Sequence, residues 1–132
     1  MGQPVMQWQI LARNPDTLTA FYAKLFGWRV SADNAMGYRT VDTGSDRGIN
    51  GGVWPIGPTE GHPLVQLFVE VDDVAAYAAK VEQLGGQILI PPQTLPDGDQ
   101  LAIVLDTEGL SLGIMQRAER GPATLGSPER TS

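Results

Sequence analysis

The sequence predicts an α+β domain built from two tandem β-α-β-β-β modules. Three observations predict it. First, the chain repeats itself at a 59-residue offset, so that Gln7 falls on Gln66, Leu18 on Tyr77, Tyr22 on Val81, Leu25 on Leu84 and Gly27 on Gly86. Self-similarity at a fixed period marks a duplicated supersecondary unit. Second, each copy opens on a strand-like run and passes into a stretch of helical periodicity. Third, each copy closes with three short apolar segments split by turn-forming residues.

In the first module, Val5 to Leu11 alternates as a strand, with Met6, Trp8 and Ile10 on one face and Val5, Gln7, Gln9 and Leu11 on the other. Asn14 suits a helix N-cap and Pro15 the first helical position. Leu18, Phe21, Tyr22 and Leu25 then fall at helical spacing on one face, and Gly27 supplies the stop. Strands are expected at 28–32, 37–43 and 48–54, separated by Asp33-Asn34 and Gly44-Ser45-Asp46. The Pro- and Gly-rich run from Pro55 to Pro63 reads as a linker.

The second module repeats this order. Leu64 to Val71 is a strand, with Leu67, Val69 and Val71 on one face and Gln66, Phe68 and Glu70 on the other. Asp72 or Asp73 caps a helix whose inner stripe is Val74, Tyr77, Ala78, Val81 and Leu84, and Gly85-Gly86 ends it. Strands are expected at 87–90, 100–105 and 110–116. The domain thus spans 4–117, with modules of about 4–56 and 63–117. The polar 118–132 tail is too poor in apolar residues to offset its ordering entropy, and is expected to be a flexible terminus.

Composition excludes several function classes. With 15 acidic and 9 basic residues the net charge is −6, which gives no basic footprint for nucleic acid or an anionic membrane surface. It suits a neutral or cationic small molecule better. Cysteine is absent, so thiolate chemistry and disulfides are excluded. No apolar run is long enough to span a membrane and no leader precedes the first strand, so a cytoplasmic location is expected.

Four local motifs stand in order on this repeated topology: Ala20-Phe21-Tyr22-Ala23-Lys24-Leu25-Phe26-Gly27-Trp28, Val69-Glu70-Val71-Asp72-Asp73-Val74, Leu84-Gly85-Gly86, and Leu105-Asp106-Thr107-Glu108-Gly109. They are similar to signatures of the vicinal oxygen chelate superfamily, which includes glyoxalase I, bleomycin-resistance proteins and extradiol dioxygenases. The resemblance covers roughly residues 4–117. It implies a curved mixed sheet with helices outside, a cleft that takes substrate or ligand, and a homodimer. In metal-dependent members it also implies a metal held by His, Glu or Gln from the first and fourth strand of each module.

Carried over one by one, those positions read Gln7 and Gln66 on the first strands, Gly113 on the last strand, and a residue near Trp54 in module one. Neutral amide oxygens are weak as sole ligands for transition metals, which want imidazole or carboxylate. No metal or other cofactor is therefore expected. The single histidine, His62, lies in the linker and cannot supply a ligand pair.

The remaining candidates form a ligand-binding set rather than catalytic machinery. Gln7, Gln9, Gln66 and Glu70 make a polar floor, and Trp54, Tyr38, Met36 and Phe68 supply apolar walls. Glu70 could act as a general base if desolvated. Asp72-Asp73, Asp42 and Asp106 read as caps and turns, and Gly51-Gly52 as a place for a bend or a close approach. The function read from these residues is metal-independent binding of an unidentified small molecule, like the bleomycin-resistance type. The alternatives are a metal-dependent lyase, isomerase or dioxygenase with an atypical site, and a non-catalytic interaction or regulatory module whose own side chains fill the cleft.

Overall fold

The computed structural model describes residues 2–32, 37–57 and 61–118. Its elements are β1 (Val5–Ala12), α1 (Pro15–Phe26), β2 (Arg29–Ser31), β3 (Arg39–Asp42), β4 (Gly51–Pro55), β5 (Leu64–Glu70), α2 (Val74–Gln83), β6 (Gln87–Thr94), β7 (Gln100–Leu105) and β8 (Ser111–Gln116). This is the β-α-β-β-β order twice over. The Asp33-Asn34 turn, Met36 and the tail beyond Ala118 lie outside the described residues.

Hydrogen bonding orders the strands β2-β3-β4-β1-β5-β8-β7-β6. β1 pairs with β4 in parallel and with β5 antiparallel, so the sheet is mixed, as predicted. The two equivalent first strands, β1 and β5, therefore pair within one chain. By compactness the chain divides into two units, one of Met1–Val69 with Ser111–Gly113, the other of Glu70–Leu110 with Ile114–Ser132. The division falls at the end of β5, so β5 packs with the first repeat.

In the first unit, Asn14 Oδ1 accepts the Thr17 N–H at 3.4 Å and Pro15 opens α1. Gly27 ends it in the left-handed region at φ 74°, its N–H donating to the Ala23 carbonyl at 2.8 Å. Ala12, Val41 and Val53 form the buried core, against which Trp8, Ile10, Leu18 and Trp28 pack. Trp28 continues that core as an aromatic chain, with ring centroids 5.4 Å from Trp8, 5.5 Å from Tyr22 and 5.0 Å from Phe26.

The helix face differs from the periodicity reading. Leu18, Thr19, Tyr22 and Ala23 turn inward, while Phe21 and Leu25 are each 57% exposed. Thr19 can be buried because its hydroxyl donates to the Asp16 carbonyl at 3.2 Å, one turn back. A slim inward side leaves room for the two indoles on the sheet, and the bulkier stripe rolls outward.

β4 carries two adjacent glycines, and each makes room for an aromatic ring. A Cβ on Gly51 would overlap the Trp8 indole, and one on Gly52 would overlap the Tyr38 phenol. Successive residues of a strand point to opposite faces, so one ring lies on each side of the strand. The Trp8 indole N–H donates to the Ile49 carbonyl at 3.0 Å, which satisfies its polar edge.

In the second unit, Val71, Val74, Ala78, Ala102, Ile103, Val104, Ile114 and Met115 are buried. The start of α2 is capped twice: Asp73 Oδ1 accepts from Ala76 N–H at 3.1 Å, and Gln116 Oε1 from Val74 N–H at 3.0 Å. β6 runs to Thr94, past its expected end at Ile90 and through Pro91-Pro92. As the outermost strand it pairs with β7 alone, and register shifts fall between Ile88 and Ile90 and between Ile90 and Gln93. Proline is tolerated at an edge, where no second neighbour needs its N–H, and there it also discourages a foreign strand from adding on. No helix among the described residues is long and apolar enough to cross a membrane.

The glycine packing yields a direct check. Gly51→Ala forces a methyl group into the Trp8 ring and should cost about 1–3 kcal/mol, the range of an overpacked core site. Gly48→Ala, at a position with open space around it, should change stability by less than about 0.5 kcal/mol. Urea unfolding of the two variants beside the parent measures both.

Candidate functional site

The registers of β1 decide which side chains share a face. Gln9 stands opposite Gln66 and Gln7 opposite Phe68 across the β1–β5 pair. Along β4, Gln9 lies beside Gly52 and Leu11 beside Trp54. Gln7, Gln9, Gln66, Phe68 and Trp54 therefore point to one side, away from the Trp8, Ile10 and Val53 face that α1 covers. Tyr38 joins them: it lies over Gly52, and its ring meets Trp54 at 5.6 Å.

A relay of side-chain amides runs across this face. Gln9 Nε2 donates to Gln66 Oε1 at 3.4 Å, and Gln66 Nε2 donates to Ser111 Oγ at 3.1 Å. Gln66 is only 4% exposed, so its amide is held between two partners out of water. Phe68 is 2% exposed, and its ring lies across Gly113, where a Cβ would overlap it.

These contacts narrow the one position that the sequence places only near Trp54. Gly113 lies under Phe68, and Phe68 is the 59-residue counterpart of Gln9, whose neighbour on β4 is Gly52. The module-one mate of Gly113 is thus Gly52, and Trp54 stands two residues further on. The four places read Gln7, Gly52, Gln66 and Gly113. Both glycine places are filled by rings, Tyr38 over one and Phe68 over the other. Gln66, the buried amide, already has its oxygen and its nitrogen engaged. Among the described residues no three His, Cys, Asp or Glu come together. This donor set does not fit a divalent metal, which needs charged or imidazole ligands free to turn toward it.

Other groups on the face retain open valences. Among the described residues the half-buried Gln7 amide makes no hydrogen bond, Gln9 Oε1 accepts none, and the Trp54 indole N–H has no partner. The Tyr38 phenol is held above its ordinary 10.0 by burial, which disfavours the anion.

Glu70 belongs to the second unit, where its carboxylate pairs with Arg117 at 3.2 Å. That pairing engages one carboxylate oxygen, and the Glu70 side chain is 37% exposed rather than buried. His62 is exposed. Asp73 is a helix cap; Asp106 Oδ1 accepts from the Glu108 and Leu110 N–H groups, and Asp42 Oδ1 from Gly44 N–H, all turn roles. Met36 lies outside the described residues. Sequence reasoning missed Ser111, although it sits two positions before Gly113 on the same strand and hence on the same face. It also missed Gly52 as a seat for Tyr38.

Residues 5–114 match the family model described as Glyoxalase/Bleomycin resistance protein/Dioxygenase superfamily. Curated relatives include "Putative glyoxylase CFP32" of Mycobacterium bovis and of Mycobacterium tuberculosis, each 29% identical over 110 residues, 80% of this chain and 42% of theirs. The chain thus spans less than half the length of these relatives. Among solved structures, hypothetical protein BH1468 of Bacillus halodurans is similar with TM-score 0.67 at 12% identity, over 92% of this chain and 99% of that one. Methylmalonyl-CoA epimerase of Mycobacterium tuberculosis is similar with TM-score 0.59 at 13% identity, over 91% and 94%. At such identities the likeness is one of fold.

Tyr38 supplies a pH signature of this face. Its folded pKa is raised above the unfolded 10.0, so its contribution to stability is complete below that pH and is lost as pH rises through the folded value. In an ultraviolet phenolate titration Tyr38 should give a late step, above its ordinary 10.0. That late step should vanish in Tyr38→Phe, and the alkaline loss of stability should be shallower in the same variant.

Proposed function

The chain belongs to the glyoxalase/bleomycin resistance protein/dioxygenase superfamily, and we propose that within it this protein is a metal-independent binder of a small molecule, like the bleomycin-resistance type, acting in the cytoplasm. One observation carries the reading. At the places where metal-dependent members would hold an ion stand two amides and two glycines, with Gln66 locked to Gln9 and Ser111 and both glycines covered by rings. Among the described residues, the Gln7 amide and the Trp54 indole N–H of the same face have no hydrogen-bond partner, and the Trp54 ring pairs with Tyr38. A floor whose described side chains are amides, rings and hydroxyls able to hydrogen-bond favours binding over turnover.

The burial of Phe68 over Gly113 favours a second reading, a non-catalytic interaction or regulatory module whose face is partly filled by its own side chains. The relatives' names, glyoxylase and epimerase, point to a third, an enzyme with an atypical site.

A homodimer is part of the proposal. On the opposite face of β5, Val65 is 65% and Leu67 50% exposed. Leu67 is paired with Trp8, whose ring continues through Trp28 to Phe26, itself 56% exposed. A contiguous apolar band of this kind on a surface marks an interaction site, and a self-complementary one suits a two-fold pair.

Metal analysis tests the main reading. The purified protein should carry metal well below one ion per chain, and chelation should leave its melting midpoint unchanged. One ion per chain, lost in both Gln7→Ala and Gln66→Ala, would favour the enzyme instead. For the dimer, light scattering should give twice the chain mass for the parent and the chain mass for Leu67→Glu, with both folded.

A further inference from the structure

We infer that the face around Gln7, Gln9 and Trp54 takes an uncharged, flat heterocycle bearing a lactam-type edge, a hydrogen-bond donor beside an acceptor. The inference rests on the small-molecule reading and narrows it to a ligand class.

The first argument is an accounting of valences. A primary amide offers two N–H groups and an oxygen with two lone pairs. Gln66 spends its oxygen on Gln9 and an N–H on Ser111. Gln9 spends an N–H on Gln66 and keeps its oxygen. Gln7 spends nothing among the described residues, though it is half-buried directly across from the buried Phe68. The Trp54 indole N–H is likewise unspent, whereas that of Trp8 is satisfied by Ile49. Gln7, Gln9 and Trp54 are half-buried, so a ligand can take the place of water at their polar groups. Those left over here include the whole Gln7 amide, the oxygen and second N–H of Gln9, and the Trp54 N–H. A ligand edge with one donor and one acceptor side by side complements the Gln7 amide and leaves Gln9 Oε1 or Trp54 Nε1 for a further contact.

The second argument is charge. None of Gln7, Gln9, Gln66, Ser111, Tyr38 and Trp54 is ionised near neutrality, and burial holds Tyr38 protonated. Two arginines of the first unit are committed elsewhere. Arg39 donates to Asp16 at 2.8 Å and to the Gly37 carbonyl, and Arg29 pairs with Asp42 at 3.6 Å. An anion or a cation entering this set would lose hydration without a counter-charge. The third argument is shape: the Tyr38 and Trp54 rings, 5.6 Å apart and tilted by 47°, offer a flat ligand an aromatic face to stack on.

Four probes on one ring system test the inference: isoquinolin-1-one, its N-methyl derivative, isoquinoline-1-carboxylate and the N-methylisoquinolinium cation. Titrations follow the three tryptophan indole N–H resonances of the labelled full chain. The lactam should move the Trp54 resonance and bind about tenfold more tightly than its N-methyl derivative or either ion, the worth of one hydrogen bond. Gln7→Leu should weaken the lactam by a similar factor and leave the N-methyl derivative unchanged. Trp54→Phe, followed through the ligand signals, keeps the ring and checks the donor should Gln7→Leu not fold. Equal binding of lactam and N-methyl derivative, or tighter binding of either ion at Trp54, overturns the inference while the small-molecule reading stands. If no probe reaches Trp54 in the folded protein, both fall.

Discussion

Two neighbouring glycines hold the first unit in register. Gly51 and Gly52 occupy consecutive places on β4, so their missing side chains open gaps on opposite faces, and each gap is closed by a ring, Trp8 on one side and Tyr38 on the other. A shift of one residue along β1 would send Trp8 and its row to the wrong face, because side chains alternate with period two. The same register sets Gln9 beside Gly52 and opposite Gln66. Core packing and the polar face are thus two consequences of one alignment: the indole that anchors the hydrophobic cluster and the amides that line the other side are successive residues of β1.

Gly113 repeats the device with Phe68. A glycine on a fourth strand, crossed by a ring, recurs in both repeats, at Gly52 and at Gly113. The rings differ in origin, Tyr38 approaching from just before β3 and Phe68 from β5. What the duplication conserves is the gap, and each half fills it with the aromatic residue nearest to hand. A side chain able to ligate from those places would have to displace a ring whose burial stabilises the fold, so metal chemistry here would come at the expense of packing.

Much of this was legible from residues acting locally. Asn14, Pro15 and Gly27 set the limits of α1 through capping and backbone conformation, and Asp73 did the same for the start of α2. The repeat placed Gln7 and Gln66 on one face through alternation alone. What was not legible depended on partners distant in sequence. Phe21 and Leu25 have the spacing of a buried stripe, but Trp8 and Trp28 already occupy that surface, and periodicity does not reveal which of two apolar flanks wins. Pro91-Pro92 reads as a strand end unless it is known that β6 has only one neighbour. Ser111 became visible only when Gln66 was found to reach it across 45 residues of sequence.

The charge of the chain also takes on a different meaning once its acidic groups are placed. A net charge of −6 invites the idea of a cationic ligand. Yet Asp16 holds Arg39, Asp42 closes a turn and meets Arg29, Asp73 caps α2, Asp97 and Asp106 accept backbone N–H groups in turns, Asp99 anchors Ala118, and Glu70 meets Arg117. These carboxylates serve caps, turns and surface pairs, where they organise the backbone. Among the described residues, the hydrogen bonds of the amide relay run to an amide and a hydroxyl and to no carboxylate. Net charge describes how this fold ends its helices and strands; the ligand chemistry is set by which neutral groups are left with a hydrogen bond to give.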